Sequence, residues 1–490
     1  MNFVIKLFPE ITIKSTPVRN RMSRQLTENI RIILKRHFTG AKVRQDWDKL
    51  EVEIPGEGAA LTREASSLLA AIPGIANFAL VRVFPLGDLH SIYEHTLEVW
   101  GQALRGKTFC VRVKRNGKHP FDSVEIERYV GGGLNQHAQT AGVNLHTPDI
   151  TVKLEVRDET LYVLEDKTQG LGGFPIGSQE PALSLVSGGF DSTVASYQAL
   201  RRGLRTHYCF FNLGGKAHEL GVKEIAFYLW NRYGSTHRVK FVSVPFQGVV
   251  NEILENVDPS CMGVILKRMM LRAASKVAER GDIPALITGE AVSQVSSQTL
   301  TNLAIIDRVT ETLVLRPLAT MDKGDIIDIA RAIGAEHFAA NIPEYCGVIS
   351  VKPSAKLRLN RVLAQENRMN MAVLDTALAE AQVQNIDAVM ADVEAGNPPV
   401  ERVIQPLVQD IIIDVRHPDE TAAKPLTHNT NPILEIPFFR LSKRFAELDT
   451  RHRYLLYCER GVMSELQAGS LREENHHNLA VFRPDLAKNE

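Results

Sequence analysis

Little in this chain is present in excess. Its 57 basic residues are matched by 57 acidic ones, so overall charge gives no reason to expect a nucleic-acid partner, and any such surface has to be a local patch. Cysteine is scarce: Cys110, Cys209, Cys261, Cys346 and Cys458 are odd in number, scattered and without a C-x-x-C pair. That argues against a disulfide scaffold or structural zinc and leaves individual reactive thiols. No apolar run reaches membrane-spanning length, and the first residues lack a basic segment followed by a long apolar one, so a cytoplasmic protein with no membrane partner is expected. Low-complexity tracts and long single-sign charge runs are missing as well. What is present, 44% hydrophobic and 23% charged residues over 490 positions, fits a globular chain too long for one core, so three or four domains are expected.

Patterning gives an α/β multidomain chain. Residues 1–60 read as a small α+β unit, with an alternating strand at 2–7, a helix at 18–37 carrying Met22, Leu26, Ile30, Ile33 and Leu34 at helical spacing, and a strand at 50–54. Its arginines read as a solvated helix face. A helix at 62–71 completes the β-α-β-α order of that unit, and residues 61–167 otherwise read as strands at 78–84, 108–115, 150–157 and 160–165 around helices at 92–104 and 123–132, with Gly131-Gly132-Gly133 as a turn. Here Arg105, Lys107, Arg112, Lys114, Arg115 and Lys118 occur without one acidic residue among them. Such a run is either a solvated strand edge or a set of phosphate contacts, which supply affinity rather than sequence readout. The glycine-rich segment 170–177 reads as a linker.

From 168 to 395, strands at 182–186, 206–212, 239–244 and 285–288 alternate with helices at 193–202, 218–233 and 264–280. Alternation of this kind implies a Rossmann-like parallel sheet with ligands at the carboxyl ends of its strands. A polar, proline-containing stretch at 395–406 precedes a last α/β domain at 406–490, which holds the apolar runs 411–415 and 454–458.

Ser187-Gly188-Gly189-Phe190-Asp191-Ser192 lies at the first strand-to-helix crossover of the parallel unit. Backbone N–H groups and a helix N-terminus converge on one anion there, the glycines permit close approach, and Ser187, Ser192 and Thr193 offer hydroxyls. Asp191 suits Mg²⁺ held transiently with a nucleotide rather than phosphate itself. A tight turn capped by Gly, Asp and Ser accounts for the residue types singly, but not for their order. The order resembles the loop of the PP-loop ATP pyrophosphatases, which adenylate a carbonyl or carboxylate oxygen and release pyrophosphate. Neither a Gly-x-x-x-x-Gly-Lys nor a Gly-x-Gly-x-x-Gly fingerprint stands at this crossover.

Cys458-Glu459-Arg460-Gly461-Val462-Met463-Ser464 follows an apolar run and precedes a helix. Backbone N–H groups, Arg460 and the helix N-terminus favour a thiolate or persulfide there. The loop resembles that of rhodanese-type sulfurtransferases, and Ile412-Ile413-Asp414-Val415-Arg416 resembles that fold's opening strand. Met463 stands where many such loops carry a basic residue, which favours a protein persulfide over thiosulfate as donor.

Together these segments resemble the bacterial tRNA 4-thiouridine synthetase family in its long form, over essentially the whole chain. The resemblance implies a ferredoxin-like domain at 1–60, a THUMP domain at 61–167 that engages the tRNA acceptor end through the basic patch, a PP-loop domain at 168–395 and a rhodanese-like domain at 406–490. It implies ATP contacts from Leu185, Val186, Ser187, Gly188, Gly189, Asp191, Ser192, Lys267, Gly289 and Gln298, and charge stabilisation by Lys323. It also implies that Cys346 resolves the Cys458 persulfide through a redox disulfide. The implied reaction activates the C4 oxygen of a tRNA uridine, position 8 in the family, and replaces it with sulfur loaded by a cysteine desulfurase. A second implied role is sulfur supply, through a small carrier protein, for the thiazole of thiamine. Two other readings are a small-molecule synthetase of the amidotransferase type, for which no glutaminase segment is recognisable, and a sulfur-relay or tRNA-binding protein whose loop is only structural.

Overall fold

The computed structural model describes residues 1–45, 49–213, 215–336, 338, 353–389, 400–416, 421, 425–428, 430–458 and 462–484. The chain divides into two units, one of residues 1–179 with 201–203, the other of residues 180–200 with 204–490.

The first unit is built on one eight-stranded sheet. Its strands are β1 (Asn2–Leu7), β2 (Lys42–Gln45), β3 (Lys49–Glu53), β4 (Ile75–Pro85), β5 (Thr108–Asn116), β6 (Gly142–Val143), β7 (Ile150–Arg157) and β8 (Thr160–Gln169), in the order β2-β3-β1-β4-β8-β7-β5-β6. Alternation in β1 turns Phe3, Ile5 and Leu7 into a core. In register, Ile5 lies between Leu50 of β3 and Phe78 of β4. The helix Thr16–His37 covers this core with Met22, Leu26, Ile30, Ile33 and Leu34, as its spacing predicts. β4 is the join: it pairs with β1 on one side and β8 on the other. The second half has its own core, in which Phe109, Val111, Val152, Leu154 and Val163 meet Ile92, Ile126, Val130 and Leu134.

Two expectations fail here. Gly131, Gly132 and Gly133 are not a turn but part of the helix Ser123–His137. The Asp122–Glu125 capping box starts that helix firmly, and a Cβ on Gly133 would come within 2.5 Å of the Tyr93 ring, so the glycine serves helix packing. The segment 170–177 is not a loose linker either: the amides of Phe174 and Gly177 donate to the carbonyls of Arg201 and Gly203 at 3.0 Å each, and Phe174 is buried.

The second unit holds two sheets. The larger consists of β9 (Ala182–Leu185), β10 (Thr206–Asn212), β11 (Lys240–Pro245), β12 (Ala285–Ile287), β13 (Leu313–Leu315) and β14 (Gln382–Asn385), ordered β13-β12-β9-β10-β11-β14. All pairs are parallel except β11 with β14. The chain winds outward from β9 through β10 and β11, then returns to β12 on its other side. That reversal is a topological switch point, where loops part and a ligand crevice opens. The smaller sheet, β15 (Arg402–Val403), β16 (Ile411–Asp414), β17 (Ile433–Glu435), β18 (Tyr454–Tyr457) and β19 (Leu479–Phe482), is wholly parallel and ordered β15-β19-β18-β16-β17. Its helix Val462–Glu473 packs on the helix Gly215–Leu229 of the larger layer, and Phe438–Phe445 packs on Gln247–Asn256. One hydrophobic cluster therefore runs from Val249 and Ile253 to Leu441, Phe445 and Leu471. No helix among the described residues is long and apolar enough to cross a membrane.

Candidate functional site

β9 is short because its next residues stop pairing as a strand; only the Val186 amide still reaches the Cys209 carbonyl, at 2.9 Å. Leu185 is half-buried at the strand end and Val186 is buried against Tyr208 and Phe210. The chain then turns through Gly188, whose φ of +84° favours glycine, into the helix Phe190–Arg201. Ser192 braces the loop: its Oγ accepts from the Ser187 amide at 3.1 Å and donates to the Gly189 carbonyl at 3.2 Å. The Thr193 hydroxyl also donates to Gly189, at 2.9 Å. In this arrangement the Ser192 and Thr193 hydroxyls serve the loop's own Gly189 carbonyl. A Cβ on Gly189 would meet nothing closer than 3.9 Å, so that side of the cradle is open.

The loop after β12 meets it across the switch point. A Cβ on Gly289 would lie 2.5 Å from the Asp191 carbonyl carbon and 2.6 Å from the Ser192 nitrogen. Its missing side chain makes room for the phosphate loop itself. Asp191 is held on both oxygens, by Lys323 Nζ at 2.7 Å and Gln294 Nε2 at 2.8 Å. Lys323 opens the helix Lys323–Ala332. Lys267, on the helix Met262–Arg280, reaches Glu290 Oε1 at 2.6 Å. Burial would raise the Glu290 carboxyl, but the Lys267 and Arg316 cations hold it below the usual carboxylate value. Gln298 is buried in a short turn, and its Oε1 has no hydrogen-bond partner among the described residues. A buried acceptor in this state has room for one more donor. The sequence reading missed Glu290, Gln294 and Arg316, which carry no local motif; only their position after β12 and β13 marks them.

Next to the loop, His218 Nε2 lies 3.2 Å from the Ser187 carbonyl, and burial pushes its imidazole down to about 4. His218 belongs to the helix Gly215–Leu229, on which the cysteine helix packs. Cys458 follows β18 and is 7% exposed. Its Sγ accepts from the Ser464 amide at 3.3 Å and lies 3.5 Å from Ser464 Oγ, so the helix start faces the sulfur as expected. Beside it, Asp414 at the end of β16 chelates Arg416, whose guanidinium lies 5.3 Å from the Tyr457 ring centre. Arg460 and Cys346 lie outside the described residues. Cys110, Cys209, Cys261 and Cys458 are free thiols; burial pushes Cys209 up to about 12, which makes it inert.

In the first unit, Arg105, Lys107, Arg112, Lys114, Arg115 and Lys118 are all exposed. Arg112 donates to the Leu145 carbonyl at 3.0 Å and faces Glu127 at 3.9 Å, and Arg115 braces the Gly117 turn. The sheet enlarges this patch beyond the run seen in sequence. Lys153 of β7 is in register with Arg112, and burial, then Lys167, Lys114 and Lys6, pull its ammonium below the ordinary lysine value.

Family models match three stretches: a ThiI ferredoxin-like domain at 3–79, a THUMP domain at 87–166, and the ThiI thiamine biosynthesis protein model at 177–371. Among solved structures, a 4-thiouridine synthetase in complex with RNA and with bound ATP matches 78% of this chain and 99% of its own at 25% identity and TM-score 0.68. PH1313 of Pyrococcus horikoshii shares the fold, at TM-score 0.50 and 20% identity over 68% of this chain and 100% of its own. Curated relatives are tRNA sulfurtransferases of Saccharophagus degradans, 56% identical, and of Shewanella pealeana, 53% identical, each over 99% of this chain and 100% of the relative. At that identity over its full length, the chain belongs to the tRNA sulfurtransferase family.

Proposed function

We propose that this protein is an ATP-dependent tRNA uridine 4-sulfurtransferase, forming AMP and pyrophosphate. The observation that carries the reading is the Ser187–Ser192 cradle at the switch point with Lys267 and Lys323 beside it, in the same folded unit as a cysteine whose sulfur accepts an N–H at a helix start. The loop amides bind phosphate, Lys323 and Lys267 offset its charge, and Gln298 Oε1 accepts from the nucleotide. Asp191 is the residue suited to Mg²⁺ arriving with ATP. The patch of Arg105, Lys107, Arg112, Lys114, Arg115 and Lys118 on the THUMP module holds the tRNA backbone.

In this reading the uridine C4 oxygen attacks the α-phosphorus and pyrophosphate leaves. The terminal sulfur of a Cys458 persulfide, loaded by a cysteine desulfurase, attacks C4 and AMP leaves. The Cys346 thiolate then attacks the Cys458 sulfur, breaking the S–S bond, releasing 4-thiouridine and leaving a Cys346–Cys458 disulfide that an external dithiol reduces. The rhodanese-like assignment of the β15–β19 sheet belongs to the same proposal: a single parallel layer with the cysteine at a carboxyl strand end suits sulfur carriage. The same persulfide would serve a sulfur-carrier protein on the way to the thiamine thiazole. The test is pyrophosphate release from ATP with and without unmodified tRNA. Release that depends on tRNA, and is lost in Asp191→Asn, is expected; release without tRNA, or none at all, would refute the assignment.

A further inference from the structure

Two lysines flank the phosphate cradle, and each is parked on a carboxylate, but the two arrangements differ. Lys323 sits on Asp191, whose other oxygen accepts from the neutral Gln294 amide. Lys267 sits on Glu290, whose other oxygen takes Arg316 Nε at 2.8 Å and the Thr288 hydroxyl at 3.2 Å. Glu290 is 8% exposed. Arg316 is itself fixed by a two-pronged bond to Asp307, at 2.9 and 2.6 Å. Glu290 follows Gly289, the residue packed against Asp191 and Ser192, so the assembly stands directly behind the cradle.

A buried carboxylate left without a cation is strongly disfavoured. If Lys267 were the sole partner of Glu290, turning its ammonium toward an incoming phosphate would strand that carboxylate. Arg316 prevents this, since it keeps a cation bonded to Glu290 whichever way the lysine points, while its other carboxylate partner, Asp307, is partly in solvent. We infer that Arg316 is a positioning residue for nucleotide binding: by holding Glu290, it releases Lys267 to the nucleotide phosphates. The inference rests on the proposed ATP site and on Lys267 meeting the nucleotide.

The test is steady-state kinetics in ATP with saturating tRNA, alongside ATP binding. Arg316→Met is expected to raise the ATP KM at least about tenfold while kcat at saturating ATP stays within about threefold, the split for lost binding alone. Adding Glu290→Gln to Arg316→Met removes the trap, and the KM is expected to return to within about threefold of the parent. A merely structural role predicts the opposite, with the second change compounding the first. An unchanged KM in Arg316→Met, or a double variant worse than the single, overturns the inference. Should Arg316→Met fail to fold, Glu290→Gln alone decides: an ATP KM equal to or below the parent's supports the inference, and a tenfold rise overturns it. Lys267→Met separates the two levels. If it leaves ATP binding unchanged, the nucleotide contact itself is wrong; if it weakens binding and Arg316→Met does not, only the release role is.

Discussion

Gly289→Ala gives a sharp reading of the switch-point geometry. The added Cβ would stand 2.5 Å from the Asp191 carbonyl carbon, 2.6 Å from the Ser192 nitrogen and 2.8 Å from the Asp191 oxygen, where ordinary contact begins at 3.4 Å. All three atoms are backbone, so no rotamer relieves the overlap. The β12 end or the start of the helix Phe190–Arg201 must yield by about 1 Å, a displacement that at a reacting centre costs on the order of a hundredfold in rate. Stability should fall less, by about 1–3 kcal/mol, as for other overpacked sites. The assay is kcat/KM for ATP beside a thermal melt. A hundredfold loss of activity with a folded protein is the expected result; kinetics equal to the parent's would show that the two loops are not held against each other.

Gly133→Ala should destabilise the first unit by about 1–3 kcal/mol, because its Cβ would press to within 2.5 Å of the Tyr93 ring, and a lowered Tm checks it. The His218 imidazole titrates near 4 when folded against an ordinary 6.5. Between those values the unfolded chain binds the proton and the folded one does not, so this contribution is complete above 6.5 and is lost as pH falls toward 4, up to about 3 kcal/mol. His207, pushed down to about 4 by burial and by Arg205 and Lys240, acts in the same direction, and denaturant titrations across this range measure the sum. Lys114→Gln with Lys153→Gln should weaken tRNA binding and flatten the slope of log affinity against log salt by about 0.7–0.9 per lysine; an unchanged slope would remove the sheet patch from the RNA surface.

What was legible in the sequence was what repeats or clusters locally. The alternation of Phe3, Ile5 and Leu7, the spacing from Met22 to Leu34, the strand-helix alternation after Ala182 and the Ser187–Ser192 motif all appear in the fold where expected. Three-residue strands such as Leu313–Leu315 and Ile433–Glu435 are too short to show a period. Gly131 to Gly133 misled because a glycine run signals a break locally, whereas the partner that needs Gly133 small is Tyr93, on another helix. Glu290, Arg316 and Lys153 lay beyond reach for a related reason: a charge network joining distant strand ends, or cations gathered across a sheet, exists only once the register is set.

The central claim, that Cys458 carries the sulfur to a uridine activated at the Ser187–Ser192 loop, is tested most directly by mass analysis of tRNA digested after incubation with this protein, ATP, cysteine and a cysteine desulfurase. 4-Thiouridine should form with the parent protein and disappear in Cys458→Ser, while tRNA-dependent pyrophosphate release persists. Full 4-thiouridine formation by Cys458→Ser would contradict the account.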